Sequence, residues 1–454
     1  MAAGVALLAG AVEAAQQGPP APVEPPFLAE RVATGALPPV AERLPENPSV
    51  VRLSKPDRMP GRHGGEITML MGRAKDVRMM VVYGYARLVG FTAAYDLEPD
   101  ILAGIEVERG RRFTLTLRRG HRWSDGHPFT AEDFRYWWED VATHPALSPA
   151  GPPRVMIVNG EKPVFEVLDK THVRFTWSAP NPDFLPALAG ALPTYIYRPA
   201  HYLKRFHERH ADEAALAARA RKAGQRNWAA LHNRLDNLYK NDNPDLPTLQ
   251  PWVTRTRPPA HRFEFVRNPY YHRIDENGLQ LPYLDRVVFT IAAPSIIPAK
   301  AGAGESDLQA RGVSFSDYTF LKKGERRGGY RVRLWRTAKG AHLALFPNLN
   351  VNDPVWRALF RDVRFRRALS LGVDRHEINQ AVYFGLTLER NNTVLPQSPL
   401  YEPEYATEWA QFAPGRANTL LDEIGLTKRN EDGIRLLPDG RPMKIVVETA
   451  GEDT

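Results

Sequence analysis

Two histidines three positions apart are the first residues whose types and spacing could do chemistry. His207 and His210 lie in a strongly helical and basic stretch of the sequence, residues 199–240. On one helix, imidazoles at this spacing could share a zinc or nickel ion. A metal site needs further ligands, and the sequence offers no evident third one. We therefore predict no metal site.

The same stretch carries a basic surface that could follow the charges of an anionic polymer. Asp212, Glu213 and Asp236 interrupt it, so a solvated helical face is the preferred interpretation. A secreted glycan or anionic-polymer binder remains an alternative function. The basic residues concerned are Arg205, Arg209, Arg221 and Arg226. The whole chain has 60 basic and 52 acidic residues spread along 454 positions, so we expect no nucleic-acid partner.

Recognisable catalytic motifs are absent from the sequence. It contains no G-x-S-x-G, H-E-x-x-H or Walker motif, and its lack of cysteine excludes thiol nucleophiles, disulfides and thiolate metal sites. The segment Asp275-x-Asn277-Gly278 lacks the spacing of an EF-hand loop, so a plain turn is predicted there. We therefore expect a protein that is not an enzyme, with no catalytic residue and no cofactor. A hydrolase stays a less favoured alternative, because catalytic triads are defined by geometry.

Several strands that could position functional residues follow from the apolar spacing. A glycine pair opens an apolar strand in residues 64–70. Phe113, Leu115 and Leu117 alternate with polar residues, which predicts a strand with one buried and one wet face. Residues 287–291 alternate in the same way. With 454 residues, the chain is long enough for two or three domains.

Helix starts are equally clear. Thr130 and Asp133 form a capping box, with the threonine as N-cap and an acid three residues later. The following helix places large side chains on one broad face, which predicts a core role for Trp123, Trp137 and Trp138. Residues 353–385 are again helical, and Asp374 is the predicted N-cap of a second helix there.

The N-terminal residues have the character of an export signal. Residues 1–15 contain a short apolar run followed by small residues, which is too short to span a bilayer. An ordinary N-terminus is the alternative, because no basic residue precedes the run. Residues 16–63 are predicted to be a proline-rich, extended leader on the surface. No later apolar run is long enough to cross a membrane, so we expect a protein that is not membrane-embedded.

Blocks in a fixed order resemble one known family. FTLTLRRGHRWSDGHPFTAEDF at 113–134 is followed by RNPYY at 267–271, LPYLD at 281–285 and RFRRALS at 364–370. The order continues with Asp374-Arg375 and a further block from Arg416. Together they resemble the family 5 extracellular solute-binding proteins of ABC importers, the receptors for dipeptides, oligopeptides and nickel. The resemblance covers roughly residues 64–448.

This resemblance implies an α/β fold: a bilobed periplasmic-binding-protein clamshell with mixed sheets flanked by helices and an extra subdomain. Lobe I and the subdomain would take residues 64–290, with a helical insertion at about 199–240, and lobe II residues 291–454. The family's function implies a monomeric periplasmic receptor that holds a solute between its lobes and delivers it to an ABC import permease. Without a cysteine for lipid attachment, we expect an exported protein that is not lipid-anchored.

Family members are usually longer than this chain, so we expect lobe II to be incomplete at its C-terminus. Met443 to Glu448 read as the opening of a further strand. In peptide receptors of the family, an aspartate in the later part of the second lobe holds the ligand's amino group. We expect that residue to lie beyond the end of this chain, which would then be a fragment or a shortened product.

The family also implies where a ligand would bind. The predicted ligand is a peptide, held mainly through its backbone and charged termini, with a sugar, an opine or a metal chelate as alternatives. Tyr85 and Trp409 could stack on a peptide plane, and Arg311 could pair with a ligand carboxylate. The predicted ligand-binding residues, at strand ends and in loops, are Tyr83, Tyr85, Gln309, Arg311, Asn348, Asn350 and Trp409.

Overall fold

The computed structural model of the chain describes residues 19–53, 58–335 and 339–449, and the predicted signal segment 1–15 lies outside them. The described residues form a mixed α/β structure. Its strands are β1 (Ser49–Val51), β2 (Glu66–Met71), β3 (Val89–Phe91), β4 (Leu97–Pro99), β5 (Leu102–Glu108), β6 (Arg112–Leu117), β7 (Val164–Val167), β8 (His172–Thr176), β9 (Trp252–Thr254), β10 (Arg262–Arg267), β11 (Arg273–Asp275) and β12 (Arg286–Ile291).

The α-helices lie both between the strands and after them. They are α1 (Ala29–Ala33), α2 (Val40–Arg43), α3 (Met80–Gly84), α4 (Ala131–Arg135), α5 (Phe184–Ala189), α6 (Ala200–Leu203), α7 (Glu213–Lys222), α8 (Trp228–Leu235), α9 (Ile297–Gly302), α10 (Tyr318–Gly328), α11 (Pro354–Arg361), α12 (Val363–Leu371), α13 (Arg375–Tyr383), α14 (Pro403–Thr407) and α15 (Pro414–Glu423). Helix α4 continues directly into a π-helical segment, Tyr136–Ala142. Short 3-10 turns occupy Pro26–Leu28, Ala74–Met79, Arg154–Met156, Lys204–Phe206, Pro294–Ile296 and Phe315–Asp317. In the described ranges, no helix is both long and apolar enough to cross a membrane.

The chain divides into two compact units, the first ending at Gly312 and the second running from Val313 to Thr454. The lobe boundary predicted after residue 290 lies before this division. Residues beyond β12 stay with the first unit because Gln309 bonds to its sheet. The Gln309 amide donates to the Leu70 carbonyl and accepts from the Leu70 N–H, both at 3.0 Å.

An antiparallel sheet in the order β5-β6-β8-β7 forms the larger core of the first unit. The predicted strand at 113–117 is confirmed, since β6 buries Phe113, Leu115 and Leu117. The other face of β6, which the alternation predicts to be exposed to solvent, is partly buried. Thr114 is also buried, because Arg174 lies opposite it on β8 and donates to its hydroxyl at 3.2 Å.

A second sheet, in the order β2-β12-β10-β9, mixes parallel and antiparallel pairs. Strand β12 runs parallel to β2 and antiparallel to β10, so Phe289 lies opposite both Met69 and Phe263. The strands predicted at 64–70 and 287–291 are therefore confirmed. Val288 lies on the opposite face of β12 from Val287 and Phe289, and all three are buried. The reason is that β12 is a central strand with both faces covered.

The predicted helix start at Thr130 is confirmed. Its hydroxyl accepts from the Glu132 N–H at 3.3 Å, and the Asp133 carboxylate accepts from the Thr130 N–H at 2.9 Å. This capping box satisfies N–H groups that the first turn leaves without partners. The tryptophans also pack as predicted: Trp123, Trp137 and Trp138 are all in the buried core.

The predicted leader is folded rather than extended. Within residues 19–53, it forms α1, α2 and β1, and Leu28 and Val40 are buried. Its anchor is Arg43, fully buried, which donates to the Pro269 carbonyl at 2.9 Å and pairs with Glu24 at 2.8 Å. Local proline content does not reveal such distant contacts, so the sequence pattern alone gave the wrong interpretation.

The helical stretch at 199–240 is broken by turns. His207 and His210 lie between the 3-10 turn after α6 and the start of α7, so the prediction that they share one helix is wrong. Both imidazoles meet the π-helical segment: His207 contacts the Asp140 carbonyl at 2.8 Å and His210 its carboxylate at 3.1 Å. Among the described residues, no group of three suitable side chains could hold a metal ion.

Helices make up the regular structure described in the second unit. Asp353 and Asp362 cap α11 and α12, and Asp374 accepts from the Glu377 N–H at 2.9 Å, which confirms it as the N-cap of α13. Phe365 and Leu371 of α12 are fully buried. The strand predicted at 443–448 is not formed in the described structure: those residues have no regular secondary structure, although the Met443 N–H donates to the Arg435 carbonyl at 2.8 Å.

Candidate functional site

Three of the predicted residues lie close together in the first unit, around a buried carboxylate. Arg311 pairs with Asp76 at 3.2 Å, and the Arg311 side chain is 47% exposed. Asp76 is buried at the 3-10 turn that follows β2, where it also accepts from the Arg73 N–H at 3.1 Å. The fold therefore holds one side of the Arg311 guanidinium and leaves the rest to solvent.

Tyr83 belongs to the same cluster. Its ring stacks on Phe289 of β12, with centroids 6.4 Å apart and an interplanar angle of 24°. Burial raises the pKa of the Tyr83 hydroxyl, and the nearby Arg311 charge opposes that rise. Gln309 lies beside them, but its amide bonds to Leu70 and so extends the edge of the sheet instead of facing a solute.

Tyr85 has a separate role at the end of α3. Its backbone is left-handed, with φ of 40°, and its hydroxyl donates to the Ala189 carbonyl at 2.9 Å while accepting from the Phe91 N–H at 3.1 Å. The Arg87 guanidinium lies over its ring at 4.7 Å. Both hydrogen-bonding capacities of the hydroxyl are therefore used within the fold.

Asn348 and Asn350 share the exposed loop before α11. The Asn348 side-chain carbonyl accepts from the Asn350 N–H, and that of Asn350 accepts from Arg361, both at 3.0 Å. These bonds shape the loop itself. The Asn348 and Asn350 amide groups are exposed and can still donate to a solute.

Trp409 stands in the most unusual setting of the predicted residues. The guanidiniums of Arg367 and Arg416 lie over its ring at 4.4 and 4.1 Å, an arrangement that we call the Trp409 stack. Among the described residues, neither arginine forms an ion pair. The indole Nε1 is buried without a hydrogen-bond partner, and the backbone φ is 62°, which is rare for a bulky residue.

Two neighbours hold this strained loop in place. The Ser370 hydroxyl donates to the Trp409 carbonyl at 2.8 Å, and Arg375 donates to the Ala410 carbonyl at 2.9 Å. Arg375 also donates to the Asn391 side-chain carbonyl at 3.0 Å, and its burial lowers its pKa. Helices α12 and α13 therefore fix the position of the indole through these two side chains.

The structure thus gathers Tyr83, Gln309 and Arg311, and separately gives Trp409 two cations that the sequence did not assign to it. Arg367 and Arg416 were missed, although both lie in blocks that resemble the family. Their signal was weak, because arginine on a helix surface is common. Only their convergence on one indole marks them out.

Comparison with known proteins identifies the family. The family model described as bacterial extracellular solute-binding proteins, family 5 middle, matches residues 96–454. Because that match covers most of the chain, the chain belongs to family 5 of the bacterial extracellular solute-binding proteins. The resemblance found in the sequence blocks is confirmed.

Curated relatives differ in what their names say they bind. The periplasmic alpha-galactoside-binding protein of Rhizobium meliloti strain 1021 is 26% identical, covering 92% of this chain and 62% of the relative. The periplasmic oligopeptide-binding protein OppA of Salmonella typhimurium strain LT2 is 25% identical, covering 72% of this chain and 55% of the relative. The chain therefore spans less than two thirds of the length of either protein.

Solved structures agree on the fold. An oligopeptide-binding protein OppA is 33% identical with a TM-score of 0.72, covering 95% of this chain and 68% of that one. The periplasmic binding protein MelB of Agrobacterium fabrum C58, in complex with stachyose, is 23% identical with a TM-score of 0.63, covering 94% and 66%. The predicted fold class, that of the periplasmic binding proteins, is confirmed.

Proposed function

We propose that the chain is the solute receptor of an ABC importer, that it works in the periplasm, and that its solute is peptide-like with a free carboxylate. The observation that carries the proposal is the Trp409 stack, which sets two cations against one indole. A guanidinium stacked on an aromatic ring keeps its N–H edges free, and those edges match a carboxylate bidentately. The likeness to oligopeptide-binding proteins supports the same solute class.

An α-galactoside is the second candidate, favoured by the relative that matches 92% of this chain. A galactoside is neutral, so its binding would depend on the ring of Trp409 and on neutral hydrogen-bonding groups. The charges of Arg367 and Arg416 would contribute little to its affinity. Loss of an arginine charge should therefore weaken binding of a carboxylate solute and leave binding of a galactoside nearly unchanged.

Binding of an anionic polymer has less support. Of the basic residues considered for it, Arg209 pairs with buried Asp140 at 3.0 Å, and Arg205 stacks on Tyr202 at 4.7 Å. Residues engaged inside the fold present less charge to a polymer. Weak retention on heparin at physiological salt is therefore the expected result.

The test compares the two solute classes on one protein by calorimetric titration. Three kinds of ligand are titrated into the protein in parallel: short peptides with a free C-terminal carboxylate, the same peptides as C-terminal amides, and stachyose. We expect the free carboxylate to bind about tenfold tighter than the amide, the difference of one charge-assisted contact. Mass spectrometry of small molecules released from the native protein identifies the solute independently.

Matched variants assign the effect to residues. Arg416→Gln should remove the preference for the carboxylate, whereas Lys428→Gln, an exposed cation of the same unit, should leave it intact. Binding of stachyose without binding of any peptide would refute the peptide-like solute and favour the galactoside. Cleavage of the peptides by the purified protein would instead support a hydrolase.

A further inference from the structure

The first unit contains an open cavity of about 460 Å³, and none of the predicted ligand-binding residues is in its lining. It is formed by the turn after β6, the segment before α4 and the turn that leads into β8. Its volume falls in the range of small-molecule sites, about 300–1,000 Å³. The side chains that decide its chemistry are Arg118, Arg119, Arg122, Phe129, Asp169 and Lys170.

The charge of this cavity is strongly one-sided. Among the described residues, Arg119 and Lys170 form no ion pair, and both are exposed at the cavity. Arg118 is half-buried and donates only to neutral carbonyls, those of Asp100 at 3.0 and 3.1 Å and of Asn47 at 2.7 Å. Arg122 likewise donates to the Gly126 carbonyl at 3.0 Å. Four cations thus line the cavity and, among the described residues, none of them forms an ion pair, although the Asp100 carboxylate outside the lining attracts Arg118.

The one acid in the lining is already engaged. Asp169 accepts from the Thr171 N–H at 2.6 Å and from the Thr171 hydroxyl at 2.9 Å, and its other oxygen meets His172 at 2.8 Å. These bonds, led by those from Thr171, lower the pKa of Asp169 to about 2. It therefore remains a carboxylate turned to local donors at the rim, and it does not pair with the arginines.

The remaining wall is apolar. Phe129, which is buried, and Pro128, which is exposed, line it. Beside them His121 is buried, and its Nδ1 lacks a hydrogen-bond partner. Burial lowers the pKa of His121, so the imidazole is neutral at neutral pH. A ligand that suits this wall has an apolar body, and one that suits the opening carries negative charge.

We propose that this cavity is a second binding site, distinct from the solute site, for a small organic anion with an apolar body, such as an aromatic carboxylate. Arg119 and Lys170 would meet the charge of the anion, and Phe129 would pack against its body. The site requires nothing from the second unit.

Fluorine NMR titration with 4-fluorobenzoate tests the proposal on the full chain. We expect saturable binding, at least tenfold weaker binding of the neutral 4-fluorobenzamide, and a loss of at least tenfold in the double variant R119Q/K170Q. Both side chains are exposed, so the variant should fold as the parent does. Lys222→Gln removes an exposed cation on α7 and should change nothing.

Independence from the solute site is part of the test. Binding of 4-fluorobenzoate should persist in Trp409→Ala and in Arg416→Gln. Equal binding of acid and amide, no binding at millimolar concentration, or an unchanged R119Q/K170Q variant would each overturn the proposal. Loss of the signal in Trp409→Ala would assign the anion to the solute site and overturn it as well.

Discussion

Replacing Asp100 by alanine should be among the most destabilising single changes in the first unit. One Asp100 oxygen accepts from His272 at 3.0 Å and from Arg273 Nε at 2.9 Å. The other accepts from Arg273 Nη2 at 2.5 Å and from the Arg87 N–H at 2.9 Å. The carboxylate therefore joins β11 to the segment between β4 and β5, and all four donors lose their partner together.

The magnitude follows from burial. Asp100 and His272 are buried, and the Arg273 side chain is only 21% exposed. Removing one partner of a buried pair costs about 3–5 kcal/mol, because the other charge stays behind uncompensated. Burial alone would raise the pKa of Asp100, but Arg273 and then His272 outweigh it and hold that pKa far below its usual range.

The sign of the pH dependence follows from that shift. Because the folded pKa of Asp100 is depressed, its contribution to stability is complete above the unfolded pKa, about 3.9, and is lost as pH falls toward the folded value. Urea unfolding can be monitored through the fluorescence of the buried tryptophans. At pH 7 it should show a lower free energy of unfolding for Asp100→Ala than for the wild type. The difference from wild type should shrink below pH 4.

A control comes from an exposed pair. Asp245 and Arg257 are 2.8 Å apart, but their side chains are 66% and 56% exposed. An exposed ion pair contributes about 0–1 kcal/mol, so Asp245→Ala should shift the urea midpoint far less. Equal losses in the two variants, or a pH-independent difference for Asp100→Ala, would refute the reasoning.

Four further changes probe other features. Thr130→Ala should cost about 1 kcal/mol in urea unfolding through loss of the cap, and Thr130→Ser should recover most of it. Arg43→Ala should speed proteolysis within residues 19–53, with unchanged cleavage contradicting its anchoring role. Arg311→Ala should weaken a carboxylate solute about tenfold in calorimetry, and unchanged affinity would remove it from the site. Trp409→Gly should abolish solute binding and cost less than about 3 kcal/mol in stability, because the backbone strain that glycine relieves offsets part of the packing lost against the core of α12 and α15. A larger loss would mark the indole as core.

Features set by near neighbours in the chain were predictable. The caps at Thr130 and Asp374 need only residues two or three positions away, and the structure forms both. The alternation of Phe113, Leu115 and Leu117 predicted a strand correctly for the same reason. The family blocks then supplied the fold class, which periodicity alone could not.

Features set by distant partners were not predictable. Arg43 bonds to Pro269, 226 positions away, so a proline-rich segment that reads as a loose leader is in fact anchored. Arg174 on the neighbouring strand covers Thr114, and the alternation of apolar and polar residues along β6 cannot reveal that contact. His207 and His210 satisfied the spacing rule for a helix, yet a turn ends the helix before them.

The same distinction ranks the predicted ligand-binding residues. A solute can use only groups that the fold has left uncommitted, and the amide of Gln309 and the hydroxyl of Tyr85 are both spent on internal hydrogen bonds. Trp409 differs, because the two guanidiniums over its ring form no ion pair among the described residues and its backbone is held at a positive φ by neighbouring side chains. Such strain costs about 1–3 kcal/mol and persists where the surrounding structure enforces it, most often at functional sites. We therefore expect recognition of a charged solute to depend most directly on the indole and the two cations over it.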